Sequence, residues 1–291
     1  MSDRKGSNML TRVISGVAVA LIILGIVWFG GAVTTVGLAL ISCIAYSEMI
    51  SATGVRMDKA TGPCIFEFVG TVVIIIYYAM IFLEVPTMYL MLMVVLYVVV
   101  LMLIFVFTFP SYRASQVMRS YFSFVYAPVM LSFVLMTRQL SVSQAEGIYN
   151  VGFFSVWMTF ISAWGSDTCA YFTEVIFGKH KITPRLSPKK SVEGCIGGVI
   201  GAGLLGLIYG LILKHLGRIP AESLWAYPLL GTCGSVVGQI GDLAASAIKR
   251  DFGIKDYGKI IPGHGGVMDR FDSVIFTAPL IYMLTLVVLG R

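Results

Sequence analysis

TMYLMLMVVLYVVVLMLIFVFTF, residues 87–109, contains no Asp, Glu, Lys, Arg or His. At about 1.5 Å per residue such a run spans well over 30 Å as an α-helix, more than the hydrocarbon core of a bilayer, roughly 30 Å. Runs of the same kind recur on both sides of it. By the criterion of roughly 20 mostly apolar residues, about nine are present: 13–30, 32–50, 65–83, 87–109, 121–137, 149–166, 193–213, 224–241 and 273–289. The 291 residues are 57% hydrophobic and 12% charged, with a mean hydropathy of +0.88. A water-soluble domain of this length has no surface on which to carry that much apolar sequence. Lipid tolerates only helices or closed barrels, and strand-like alternation is absent. The expected fold is therefore all-α, a polytopic membrane protein with about nine transmembrane helices.

Arg4, Lys5 and Arg12 precede the first run in the manner of a signal peptide. The run is too long for such a segment and a second membrane run follows at once, so a first membrane helix is expected instead. The net charge of +6 does not indicate nucleic acid; its distribution carries the information. With nine crossings, Lys and Arg number 17 on the side holding the N-terminus and the loops near 51–64, 110–120, 167–192 and 242–272, against 4 on the other. The positive-inside rule puts the first set in the cytoplasm. Cys43, Cys64, Cys169, Cys195 and Cys233 are scattered without zinc-ligand spacing and read as small apolar residues.

Two regions follow from the polarity. Residues 1–150 hold about five helices whose role is packing and lipid contact, with Glu48 an acid near the end of the second run; it suits either a functional role or a helix end at the interface. Residues 151–291 carry the polar loops 167–192 and 242–272, the expected catalytic region. Asp167 lies at the end of the sixth helix, at the membrane surface; in the first loop Pro184 and Pro188 break any helix, and Ser187, Lys189 and Lys190 form a cationic turn suited to phosphate. In the second, Asp242, Ser246 and Lys249 share a helical face, and Asp269 and Asp272 share another at the start of the last run. An ionised Asp242 at the edge of an apolar run is costly unless paired or metal-bound. Three carboxylates thus bracket one glycine-rich loop, residues 262–266, within KDYGKIIPGHGGVMDRFD, residues 255–272. Carboxylates with phosphate oxygens suit magnesium. Gly265 and Gly266 permit close approach of backbone N–H groups to phosphate, and Lys249, Arg250, Lys255, Lys259 and Arg270 can neutralise polyphosphate. His264 fits a phosphate contact better than zinc, having no second His or Cys nearby; His180 and His215 read as surface residues. Residues 253–259 read G-x-x-x-x-G-K, but Ile260 replaces the Ser or Thr of a P-loop and a helix precedes it.

The run Ser246–Asp272, S-x-x-K-R-x4-K-D through H-G-G-x-x-D-R-x-D, resembles the signature of the phosphatidate cytidylyltransferases, the CDP-diacylglycerol synthases. Asp167, Ala170 and Tyr171 (D-x-x-A-Y), Ser187–Lys190 (S-P-K-K), and Leu10 with Arg12–Ile14 (L-x-R-V-I) are similar to the same family. The resemblance is strong from about residue 160 onward and rests on hydropathy alone over 30–150. It implies magnesium-dependent condensation of CTP with phosphatidic acid to CDP-diacylglycerol and pyrophosphate, in a multi-pass protein of the plasma membrane whose site faces the cytoplasm. It implies metal binding at Asp242 and Asp269, with one Mg²⁺ or Mg²⁺ and a second cation. Asp272, Lys249 and Arg250 are then expected to join them in catalysis, and Lys255, Lys259, His264, Gly265, Gly266, Arg270, Asp167, Ser187, Lys189 and Lys190 in substrate binding. Glu174 departs from the pattern, standing where the family has glycine.

A CTP-dependent polyprenol kinase would share the setting but release CDP and not pyrophosphate. A transporter would place polar residues through the bilayer midplane, whereas here they gather at one face. The Gly-x-x-x-Gly spacings Gly194/Gly198, Gly197/Gly201 and Gly234/Gly238 suit helix packing within one chain; a homodimer remains an open alternative.

Overall fold

The computed structural model describes residues 2–56, 63–144, 147–184, 186–261 and 265–289, with side chains from residue 16 onward except 142–149 and Lys189. All nine expected runs are helical among the described residues. They are α1 (Ser2–Phe29), α2 (Gly31–Ala52), α3 (Ile65–Phe82), α4 (Thr87–Phe107), α5 and α6 (Ala114–Phe124, Met130–Gln139) joined by a π-helical turn, α7 and α8 (Val151–Phe160, Ser166–Phe177) joined by another, α9 (Val192–His215), α10 (Ala226–Asp251) and α11 (Met268–Val288). Among the described residues, six of these stretches are both long and apolar enough to cross a bilayer: α2, α3, α4, Ala114–Gln139, α9 and α11. The chain is an all-α, multi-pass membrane protein, and among the described residues length and apolarity support six crossings.

A boundary in the polar stretch 167–192 differs from the sequence reading. The helix expected to end at about Asp167 runs on to Phe177, so Asp167 lies in the first turn of α8 and the segment up to Phe177, expected in the loop, is helical. Hydropathy falls at Ser166–Thr168, but hydropathy reports the environment of the side chains, and the backbone ladder continues without a proline to stop it. The rest of that loop is a short antiparallel hairpin, β3 (Lys181–Thr183) on β4 (Ser187–Ser191), and a second hairpin joins β1 (Val142–Gln144) to β2 (Gly147–Tyr149). These strands of three to five residues leave the class unchanged.

The chain forms two compact units, one of residues 1–135 with 251–270 and one of 136–250 with 271–291. The first is held by buried hydroxyls. Tyr46 Oη lies 2.9 Å from both Tyr97 Oη and Ser120 Oγ and donates to the Phe66 carbonyl at 3.1 Å, tying α2 to α3, α4 and α5. Ser42 and Tyr78 pair at 2.7 Å, and Tyr78 donates to the carbonyl of Pro128 within the first π turn. Lipid tails are as apolar as the helix faces, so packing and such hydrogen bonds select helix neighbours where hydrophobicity cannot. α4 shows the division: Leu90, Tyr97 and Leu101 form its buried stripe, while Met88, Met91, Val95 and Val106 are exposed, the faces a bilayer would cover.

In the second unit α9 packs on α8 through its glycines. A side chain at Gly198 would meet Ser166 Oγ and Ala170 Cβ at 3.0 and 3.1 Å, and one at Gly201 or Gly197 would collide with Cys169 or Thr173. The sequence spacing of these glycines therefore serves contacts within the chain. Ser191 caps α9, accepting from Gly194 N at 3.2 Å, and an apolar cluster of Met158, Leu213, Tyr227, Leu230 and Ile281 closes the other end of α7, α9, α10 and α11.

Candidate active site

The signature residues fall into two groups, one in each unit. In the second unit, α8, β4, α9 and α10 surround a cavity of about 220 Å³ lined by Asp167, Tyr171, Glu174, Lys190, Gln239 and Asp242 among others. The hairpin brings Lys190 to this cavity, where its ammonium forms an ion pair with Asp242. This pairing answers the cost of a carboxylate at the edge of an apolar helix. Asp242 is also hydrogen-bonded to Asp272, and Lys249 lies close enough to Asp272 to interact with it electrostatically. Asp272 is buried, and its Oδ1 accepts from Ser273 N at 2.8 Å. The Ser273 hydroxyl lies within reach of both Asp272 Oδ1 (3.3 Å) and Asp167 Oδ2 (3.2 Å). Asp167, Asp242, Asp272, Lys190 and Lys249 are thus one polar cluster. Two carboxylates in hydrogen-bonding contact repel one another unless a proton or a cation lies between them.

The floor of the cavity is fixed by helix-to-helix hydrogen bonds. Ser166 Oγ and Ser235 Oγ lie 2.6 Å apart, and Gln239 Nε2 donates to the Cys195 carbonyl at 3.1 Å. Glu174, expected to depart from the family pattern, pairs with Lys181 of β3 at 3.1 Å. His180 is exposed, as expected of a surface residue, with its Nδ1 2.6 Å from Glu193 Oε1.

In the first unit, α10 ends at Asp251 and Gly253 turns the chain in the left-handed region, φ 63°. That glycine closes a helix. Downstream, Asp269 Oδ2 accepts from Tyr257 N (2.9 Å) and Gly266 N (3.0 Å), and Ile261 N donates to the Gly265 carbonyl at 2.9 Å. The N–H of Gly266, expected to be offered to phosphate, is therefore engaged by Asp269. The space that a side chain at Gly266 or Gly258 would occupy is filled by the carboxylate of Glu48. Glu48 Oε1 accepts from Val267 N at 3.1 Å and Oε2 from Met268 N at 2.8 Å. Lys255, Lys259 and Arg250 are exposed, Arg270 is half-buried in the first turn of α11, and Ser187 is half-buried in β4. His264 and the side chain of Lys189 lie outside the described residues.

Among the described residues no set of three or more His, Cys, Asp or Glu side chains is grouped to hold a metal ion. The donors that do come together, the carboxylates of Asp242 and Asp272 with Asp167 linked through Ser273, are all hard oxygens, the ligand type of Mg²⁺ rather than of zinc. Of the two acids that the signature implies as ligands, Asp242 belongs to this set, while Asp269 belongs to the first unit, where its Oδ2 accepts from Tyr257 N and Gly266 N. Ser273 went unremarked in the sequence because a serine following an aspartate carries no signal of its own. Gln239 was missed for a similar reason, its role depending on the neighbouring helices.

A model of the cytidylyltransferase family matches residues 10–288. The chain belongs to the cytidylyltransferase family. Proteins named phosphatidate cytidylyltransferase resemble it: that of Brucella suis biovar 1 is 41% identical over 144 residues, 50% of this chain and 51% of the relative. The Thermotoga maritima protein is 35% identical over 169 residues, 58% and 60% of the two chains. The Staphylococcus saprophyticus protein is 39% identical over 142 residues, 49% and 51%. The matches span about half the length of the relatives, up to 60% for the one from Thermotoga maritima.

Proposed function

We propose that this family member transfers the cytidylyl group of CTP to phosphatidic acid, forming CDP-diacylglycerol and pyrophosphate in phospholipid biosynthesis. The observation that carries the reading is the polar cluster of Asp167, Lys190, Asp242 and Asp272 beside a cavity, built from the residues that carry the family resemblance. The names of the relatives supply the substrates; the chemistry of the cluster is compatible with them.

Phosphoryl chemistry asks for charge neutralisation and positioning. In this reading Lys190 and Lys249 neutralise phosphate, Asp167 and Gln239 line the space it enters, and the exposed Lys255 and Lys259 draw the nucleotide from water. Metal ligation is assigned to Asp242 and Asp269, as the signature implies, with Asp272 supporting Asp242. Bound Mg²⁺ would supply the positive charge that offsets the triphosphate and polarises the reacting phosphoryl group. The phosphatidate oxygen attacks the α-phosphorus of CTP in line; the bond from the α-phosphorus to the bridging oxygen breaks, and pyrophosphate leaves with that electron pair. A phosphate monoester has a second pKa of about 6, so its oxygen is largely deprotonated at neutral pH and no strong general base is required. The site is assigned to the cytoplasmic face of a bacterial inner membrane, where lipid and nucleotide meet.

The test is pyrophosphate release by the purified chain in detergent, with CTP, Mg²⁺ and phosphatidic acid each omitted in turn. Release requiring all three is expected. Release of CDP with a polyprenol, and no pyrophosphate, would move the assignment to a lipid kinase.

A further inference from the structure

We infer that Glu48 is a positioning residue for the signature segment, an acid in the N-terminal half that sets the geometry of the loop on which the proposed reaction depends. The inference rests on that reaction for its kinetic consequence only; the structural part stands separately.

Glu48 is buried, 6% exposed, near the end of α2. Among the described residues no Lys, Arg or His forms a salt bridge with it. Both carboxylate oxygens are given to backbone amides of the signature, Val267 N and Met268 N. A carboxylate is costly to desolvate, and it persists here where unsatisfied N–H groups at a helix start and the positive end of the α11 dipole receive it. The signature is shaped around this one side chain. Gly258 and Gly266, on two strands of the loop, both lack a side chain where Glu48 sits. Asp269 fastens the same loop from within through Tyr257 and Gly266, so two acids share the amides of Gly266, Val267 and Met268. The start of the loop is held as well: Arg119 lies over the Phe252 ring at 5.2 Å and donates to the Thr53 carbonyl at 2.9 Å. Glu48 therefore fixes the first turn of α11, from which Asp269 and Arg270 project, without itself being placed among the reacting groups.

Glutamine is the informative replacement. It keeps the size of the side chain but offers one acceptor oxygen, and turns an NH₂ donor toward an amide that is also a donor. Aspartate keeps both acceptors on a shorter stem. Glu48→Gln, Glu48→Asp and, as an independent lesion that presses on Glu48 from the loop side, Gly258→Ala are made in the full chain. Backbone hydrogen exchange is followed first, without CTP or Mg²⁺. Peptides covering 256–268 are expected to exchange faster in Glu48→Gln, with those of α3 and α4 unchanged. In pyrophosphate release, the Mg²⁺ concentration for half-maximal rate is expected to rise about tenfold or more, the worth of one charge-assisted hydrogen bond. The KM for phosphatidic acid stays near the wild-type value, and Glu48→Asp recovers part of the loss. Unchanged exchange in Glu48→Gln overturns the inference. So does faster exchange accompanied by wild-type Mg²⁺ dependence, because the loop would then be loosened without consequence. If Glu48→Gln fails to fold, Gly258→Ala decides by the same two readouts. If the wild-type chain releases no pyrophosphate, the proposed reaction fails while the exchange comparison still decides whether Glu48 holds the loop.

Discussion

Asp242 shows how far a single residue can be read. Its position at the edge of an apolar run required a partner, and the run of sequence around it offered Lys249 and Arg250 as the nearest cations. The ion pair is instead made with Lys190, carried in by the β3–β4 hairpin, and the second carboxylate is Asp272 from α11. That a partner was needed followed from electrostatics; which partner depended on tertiary packing that no spacing encodes. Asp242→Asn is expected to lower turnover on the order of 100-fold or more, the scale of removing one well-placed electrostatic group, while the protein still elutes as a folded species on size exclusion. Near-normal turnover would remove Asp242 from the site. Lys190→Met is expected to act differently, raising the KM for CTP more than it lowers kcat, if Lys190 contacts phosphate as proposed, since the carboxylate pair stays. Equal loss in both parameters would instead mean that Lys190 serves mainly to hold Asp242.

At the scale of elements, the helices were largely legible. The run 87–109 became Thr87–Phe107 and the run 193–213 became Val192–His215, because apolar length in a bilayer is so narrowly constrained. The π turns at Val125–Val129 and Ile161–Gly165 were not legible. Pro128 in the first marks a place where a regular ladder must give way, but the second contains no proline and its extra residue per turn has no compositional trace. The glycines of α9 were legible as a packing surface, and their partner, α8, was not. Gly201→Leu would drive a side chain into Cys169. An overpacked contact of this kind costs about 1–3 kcal/mol, so a lower melting midpoint in detergent is expected, and an unchanged midpoint would show that α8 and α9 part without cost.

For the whole molecule, class and sidedness come from different signals. The abundance of apolar helices makes the chain a multi-pass membrane protein, while the expectation that the signature loop faces the cytoplasm rests on the excess of Lys and Arg, 17 against 4, on one set of loops if all nine runs cross. Lys259→Cys in a background lacking the five native cysteines is expected to react with a membrane-impermeant maleimide in inverted vesicles and not in intact cells; the opposite pattern would reverse the topology. The two acids that fasten the signature loop illustrate what sequence reading could reach. Asp269 lies inside the motif and was found there, whereas Glu48 lies more than 200 positions away and only the fold brings it to the loop. The central claim is cytidylyl transfer to phosphatidic acid, and the most direct test follows the phosphorus. With CTP labelled at the α-phosphate, the label is predicted to appear in organic-extractable lipid, and with CTP labelled at the γ-phosphate, in pyrophosphate. Passage of the γ label into lipid, with the α label left in CDP, would contradict the account.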